Sequence, residues 1–177
     1  FYRSDDMLLC ISKQTKNLVE NVLRDHKKED WAVKYVPHGI DENKFFPVVN
    51  DFEFKAFKEN ILGKEELDFV VLWNSRNIRR KNPSDIILAW RTFLDQLPVE
   101  KAKKCLLLMK TEPIFEHGTD LPTCINAMCD PEIHKVKIIH ERFEEKHLNY
   151  LYNCSDAHMF MTDNEGWGLG LTESLTA

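Results

Sequence analysis

Two stretches of this sequence gather side chains suited to anions and hydroxyls. The first is Ser75-Arg76-Asn77-Ile78-Arg79-Arg80-Lys81, with four cations in six positions from Arg76 to Lys81. Like charges this close repel one another, so a tight loop of them favours an anionic partner. Arginine supplies a planar fork and lysine a compact charge, and both suit phosphate. A basic loop that is merely solvated is the plainer alternative, and it is the expectation for Arg79 and Arg80. The second stretch is Glu165-Gly166-Trp167-Gly168-Leu169-Gly170-Leu171-Thr172-Glu173. Its glycines allow close backbone approach, and a helix starting there aims free N–H groups at an anion. Ionised carboxylates only accept hydrogen bonds, which fits them to sugar hydroxyls. Glu165 falls in the turn and Glu173 one to two helical turns further on, so they address different parts of an extended ligand. Two glutamates that simply complement the helix dipole remain the other reading.

Nearby aromatic and histidine side chains have competing readings. Trp167 either stacks on a ligand or packs, and His140, ending a strand, either faces a ligand or packs. His117 lies in a turn-like segment with no assigned role. Trp73, Trp90 and Phe93 are core residues. The glycine-rich stretch lacks the Gly-x-Gly-x-x-Gly spacing of a dinucleotide fingerprint. Cys124, Cys129, His134 and His140 fit structural zinc spacing poorly, so no metal is expected.

The elements that must position these groups alternate. Apolar runs at Met7–Ile11, Trp31–Val36, Phe69–Trp73, Cys105–Met109, Val136–Ile139 and Ala157–Met161 are expected strands. Between them the spacing predicts helices: from Ser12 as cap to about His26, from Phe52 to Leu62, from Pro83 onward with Ile87, Trp90, Leu94 and Leu97 inward, over Leu121–Met128, and around Leu148, Leu151 and Tyr152. Another helix starts after the glycine-rich turn. Strand–helix alternation at this spacing means βαβ units: an α/β, Rossmann-like parallel sheet with helices on both faces. Ligands of such sheets bind outside the carboxyl ends of the strands, which is where both stretches fall. Pro37-His38-Gly39 ends the second strand, and the loop that follows, with Asp41 and Phe45-Phe46-Pro47, is the best linker candidate.

Composition narrows the classes. The 177 residues are 43% hydrophobic and 30% charged, and the formal net charge is −5, which argues against general nucleic-acid binding. No apolar segment reaches the roughly 20 residues of a membrane span. Five cysteines, an odd number with three in apolar runs, point to a reducing compartment, the cytoplasm, with a peripheral place at the inner face of a membrane left open. Phe1 at the start and a helical pattern at Leu175-Thr176-Ala177 give the expectation that both ends are cut.

Several motifs in order resemble one family. Glu165 to Glu173 resembles the Glu-x7-Glu motif of the family 4 (group 1) retaining glycosyltransferases, which have the two-domain GT-B fold. Tyr35-Val36-Pro37-His38-Gly39-Ile40-Asp41 with Phe46-Pro47 resembles that family's crossing between domains, "I-P-N-G-V-D…F-x-P". Ser75-Arg76 and Lys81-Asn82 resemble its "G-R…K-G" phosphate pair, and Leu151-Tyr152-Asn153-Cys154-Ser155-Asp156-Ala157 its "L-Y-x-x-A-D" segment. Ser75, Asn82 and His38 depart from the pattern, standing where it has glycine, glycine and asparagine.

The resemblance implies transfer of a sugar from a nucleotide sugar (a UDP-, GDP- or ADP-sugar) to a glycan, lipid or small-molecule acceptor hydroxyl, with retention and without metal or other cofactor. It implies donor-diphosphate contacts by Arg76 and Lys81, ribose contact by Glu173, and Glu165 beside the transferred sugar. It also implies donor contacts by Gly166, Trp167, Gly168, Leu169 and Ser75, with His140 facing the base or sugar. Residues 1–43 would end an amino-terminal acceptor domain, 44–67 would be a linker and short helix, and 68–177 a donor domain truncated at its end. The chain alone is then expected to bind donor weakly and transfer poorly. A GT-B epimerase or phosphorylase, or a nucleotide-sugar-binding module without catalysis, are the alternatives.

Overall fold

The computed structural model describes residues 7–24 and 32–177. The chain divides into two compact units: residues up to Ile40 with Glu165–Gly168, and Asp41–Asn164 with Leu169–Ala177. In the smaller unit, β1 (Leu8–Cys10) and β2 (Val33–Tyr35) pair in parallel with Leu8 opposite Val33, joined through α1 (Lys13–Leu23). Ser12 caps α1 by accepting from the Thr15 N–H at 3.0 Å. Val19 and Leu23 pack on Cys10 and Val33, one helical stripe against one strand face. The expected end of α1 near His26 and the start of β2 at Trp31 lie outside the described residues.

The larger unit holds β3 (Phe69–Asn74), β4 (Cys105–Lys110), β5 (Val136–Ile139) and β6 (Ala157–His158), all parallel, in the order β5-β4-β3-β6. Its helices are α2 (Phe52–Leu62), α3 (Pro83–Leu94), α4 (Val99–Ala102), α5 (Leu121–Met128), α6 (Glu145–Asn153) and α7 (Leu169–Thr176). Alternation along β3 and β4 splits their side chains between two faces. Val71, Trp73, Leu107 and Met109 meet Ile86, Ile87, Trp90 and Leu94 of α3 and Leu121 of α5. Val70, Leu72, Leu106 and Leu108 point the other way and are buried as well. A strand buried on both sides must be a continuous apolar run, which is why these two carry almost no polar residue.

Local chemistry sets most element ends. Asp51 caps α2 by accepting from Glu53 and Phe54, and Gly63 ends it at φ 83°. Asp120 caps α5 through the Thr123 N–H, and Pro83 occupies the first turn of α3. Three expectations change. The last strand is two residues rather than five, because after Met159 donates to the Leu72 carbonyl the chain turns away to bond the loop after β3. Leu97 lies beyond the end of α3, although it still packs on the core. The short helix α4 and a single 3-10 turn at Arg79–Lys81 had no periodic signal to announce them.

Two polar ties in the larger unit explain motif residues. Asp156 accepts from the Val70 N–H at 2.7 Å and so sets β6 beside β3. Asn149, 2% exposed, exchanges hydrogen bonds with both backbone groups of Phe46, and Asn153 accepts from the Val48 N–H. The segment around Phe46-Pro47 is thus held by α6.

Candidate functional site

The site in the larger unit is built at the carboxyl ends of β3 and β6, which are neighbours in the sheet. Beyond Asn74 the chain makes a compact turn: Ile78 donates to the Arg76 carbonyl, Lys81 to Ile78 and Asn82 to Arg79. Asn77, 1% exposed, anchors this turn to the loop after β4. Its amide donates to the Glu112 and Thr119 carbonyls at 3.1 and 2.7 Å and accepts from the Thr119 N–H at 2.9 Å. Gly118 lies so close that an added Cβ would stand 2.1 Å from the Asn77 carbonyl oxygen.

The four cations are not equivalent. Arg76 and Arg79 are exposed. Arg80 is exposed too, but its guanidinium donates to the Asn164 carbonyl at 2.6 Å and its carbonyl accepts from the Asp163 N–H, so it ties the loops after β3 and β6 together from the surface. Lys81 is 7% exposed with its ammonium 5.0 Å from the centre of the Phe160 ring. A cation over a ring face is attracted by the ring quadrupole, which offsets part of the cost of burial. Asn82 sits at φ 48°, a left-handed backbone that glycine adopts readily and asparagine tolerates, and its side chain donates to Asp163 at 2.8 Å. Ser75 has no positive φ and donates its N–H to the Lys110 carbonyl, so its position does not demand glycine.

On the β6 side, Glu173 of α7 accepts the Tyr152 hydroxyl proton at 2.6 Å, while that hydroxyl accepts from the Asn74 amide at 2.9 Å. Burial, and then the Glu173 carboxylate, push the Tyr152 phenol well above its ordinary pKa. His158 lies beside them, its Nδ1 2.7 Å from the Ser174 hydroxyl, and burial pushes it down to about 4. Leu169 opens α7 and is exposed. An added Cβ at Gly170 would stand 3.7 Å from the Asn74 carbonyl oxygen, so the start of α7 runs against the end of β3.

His140 is exposed at the end of β5, two strands from β3. Strand spacing puts it about 10 Å from the basic turn, a distance only an extended ligand spans. Between them Lys110 ends β4 with its ammonium 5.4 Å over the Phe143 ring, and burial lowers its pKa. Sequence reasoning missed Lys110, Asn77, Asn74 and His158. Only a lysine ending an apolar strand was there to be noticed; the other three act through partners distant in sequence.

Glu165, Gly166, Trp167 and Gly168 belong to the smaller unit. There Gly166 lies against Ile11, Gly168 has φ 89°, and Trp167 meets His38 edge-on at 5.9 Å between ring centres. The Trp167 indole N–H is buried without a hydrogen-bond partner, an arrangement that costs free energy until something accepts it. Among the described residues no group of three or more His, Cys, Asp or Glu side chains could hold a metal, and no helix is long and apolar enough to cross a membrane.

Solved structures share this arrangement along almost the whole chain. Sucrose-phosphate synthase from Thermosynechococcus elongatus superposes with a TM-score of 0.67 over 98% of this chain and 39% of its own, at 18% identity. HepE from Anabaena, in complex with UDP and glucose, gives 0.70 over 99% of this chain and 43% of its own, at 14% identity. The E. coli trehalose-6-phosphate protein bound with UDP-2-fluoro glucose gives 0.71 over 98% and 44%, at 12% identity. The fold is the carboxy-terminal half of GT-B. At such identities the GT-B likeness is one of fold, and the chain spans about two fifths of the length of these GT-B structures. No protein-family model and no curated protein sequence matches the chain.

Proposed function

We propose that this chain is the donor-binding part of a retaining glycosyltransferase of the family 4 type, taking a sugar from a nucleotide diphosphate sugar to an acceptor hydroxyl. The observation that carries the reading lies within the larger unit. A turn bearing Arg76 and Lys81 and a helix bearing Glu173 start from the carboxyl ends of adjacent parallel strands, where α/β sheets bind ligands. Cations at one strand end suit a diphosphate, and a carboxylate at the next suits the hydroxyls of a ribose.

In this reading Arg76 and Lys81 bind the diphosphate and stabilise the negative charge that builds as it departs. Glu173 accepts from the ribose, Ser75 lies beside the phosphates, Leu169 offers its backbone N–H to them, and His140 faces the base or sugar. Departure of the diphosphate from the same face that the acceptor hydroxyl approaches gives retention, so Glu165 and Glu173 are not a glycosidase pair. The chemistry needs no metal or other cofactor. Residues 68–177 carry the donor, 44–67 link, and 1–43 belong to the acceptor side. Neighbours of this fold bound to UDP or to a UDP-sugar support the donor class.

The test is incubation of the intact protein with UDP-, GDP- and ADP-glucose and a mixed set of glycan and lipid acceptors. Acceptor-dependent release of nucleoside diphosphate with an α-linked product from an α-linked donor is the expected result. An epimerised donor with no transfer would assign the chain to a different GT-B activity.

A further inference from the structure

We infer that Tyr152 is a positioning residue for the donor's ribose, setting the Glu173 carboxylate through one hydroxyl shared with Asn74. The inference rests on the donor reading above and goes beyond it, to a residue that would never touch the ligand. A phenol has a single proton and two lone pairs. The Asn74 amide donates to that oxygen at 2.9 Å, so the phenol proton is directed to Glu173 Oε2, 2.6 Å away. Tyr152 is 4% exposed and packs edge-on against Phe45 and tilted on His158, which leaves its ring one orientation.

A carboxylate on the first turns of a helix has several rotamers open to it. A buried donor at 2.6 Å selects one and occupies Oε2, so that Oε1 presents its lone pairs to incoming hydroxyls. The other end of the relay, Asn74, is the residue immediately before Ser75 and Arg76. One hydroxyl thus fixes the separation between the carboxylate for the ribose and the turn for the diphosphate. The elevated phenol pKa agrees with a proton held in that bond at every physiological pH.

The experiment compares a ribonucleotide with its 2′,3′-dideoxy counterpart. UDP, GDP and ADP are titrated into the intact protein by calorimetry, and the tightest is taken forward with its dideoxy form. Tyr152→Phe is expected to weaken the ribonucleotide about tenfold, the size of one charge-assisted hydrogen bond, and to change the dideoxy form less than about twofold. Asn74→Ala, which removes the bond that aims the phenol, carries the same selectivity at smaller size and serves if Tyr152→Phe does not fold. Equal losses on both nucleotides, or no loss on the ribonucleotide, overturn the positioning role and leave the donor reading standing. No binding of any of the three by the unaltered protein overturns both.

Discussion

Asn82 shows how a departure from a family pattern is absorbed at the residue scale. Its φ of 48° is one that alanine adopts at a cost of about 1 kcal/mol or more, and its amide holds Asp163. Asn82→Ala is therefore expected to lose about 2 kcal/mol in urea unfolding, with Asn82→Gly losing less because only the Asp163 bond goes; the reverse order would contradict the backbone argument. His158 carries a pH prediction. It is neutral in the fold down to about 4, whereas an unfolded histidine takes its proton near 6.5. The unfolded chain thus binds the proton first, so stability is complete above about pH 6.5 and falls by up to about 3 kcal/mol towards pH 4. His158→Gln should flatten that slope in urea unfolding at pH 7 and 4.5, and an unchanged slope would refute the assignment. The presence of four cations was legible in the sequence, but their division was not. Arg80 is occupied by Asn164, and Lys81 by a place over Phe160, partners some eighty residues away that no local pattern connects to them.

The elements were legible where a local cap or a continuous apolar run sets them. The bounds of α2, α5 and β5 follow from Asp51, Asp120, Gly63 and the Val136–Ile139 run, all visible in sequence. The length of β6 was not, since its end is decided by hydrogen bonds to the turn after β3. The loops after β3 and β4 also behave as one element, locked by Asn77 and by the close approach of Gly118. Gly118→Ala forces backbone against backbone, so it should cost about 1–3 kcal/mol and lower the Tm by about 5 °C in a thermal melt. It should also weaken nucleotide binding, because the displaced loop carries Arg76. A variant with unchanged Tm would show that the two loops are not coupled.

At the scale of the whole molecule, alternation of strands and helices was enough to foresee a parallel α/β sheet, and the GT-B likeness agrees with it. What alternation leaves open is strand order, because β6 returns beside β3 rather than following β5 outward. That crossover puts Glu173 next to the basic turn, and the donor reading depends on it. Surface ion pairs such as Lys44–Glu145 and Lys104–Asp68 contribute little to holding the arrangement; the buried apolar strands and the hydrogen bonds of Asn77, Asp156 and Tyr152 do. The central claim is that Arg76 and Glu173 belong to one nucleotide-sugar site. Calorimetric titration of UDP-, GDP- and ADP-glucose into the intact protein and its Arg76→Ala and Glu173→Ala forms tests it directly. At least one donor should bind, with each substitution weakening it about tenfold or more; binding of none, or equal binding by all three proteins, would contradict the account.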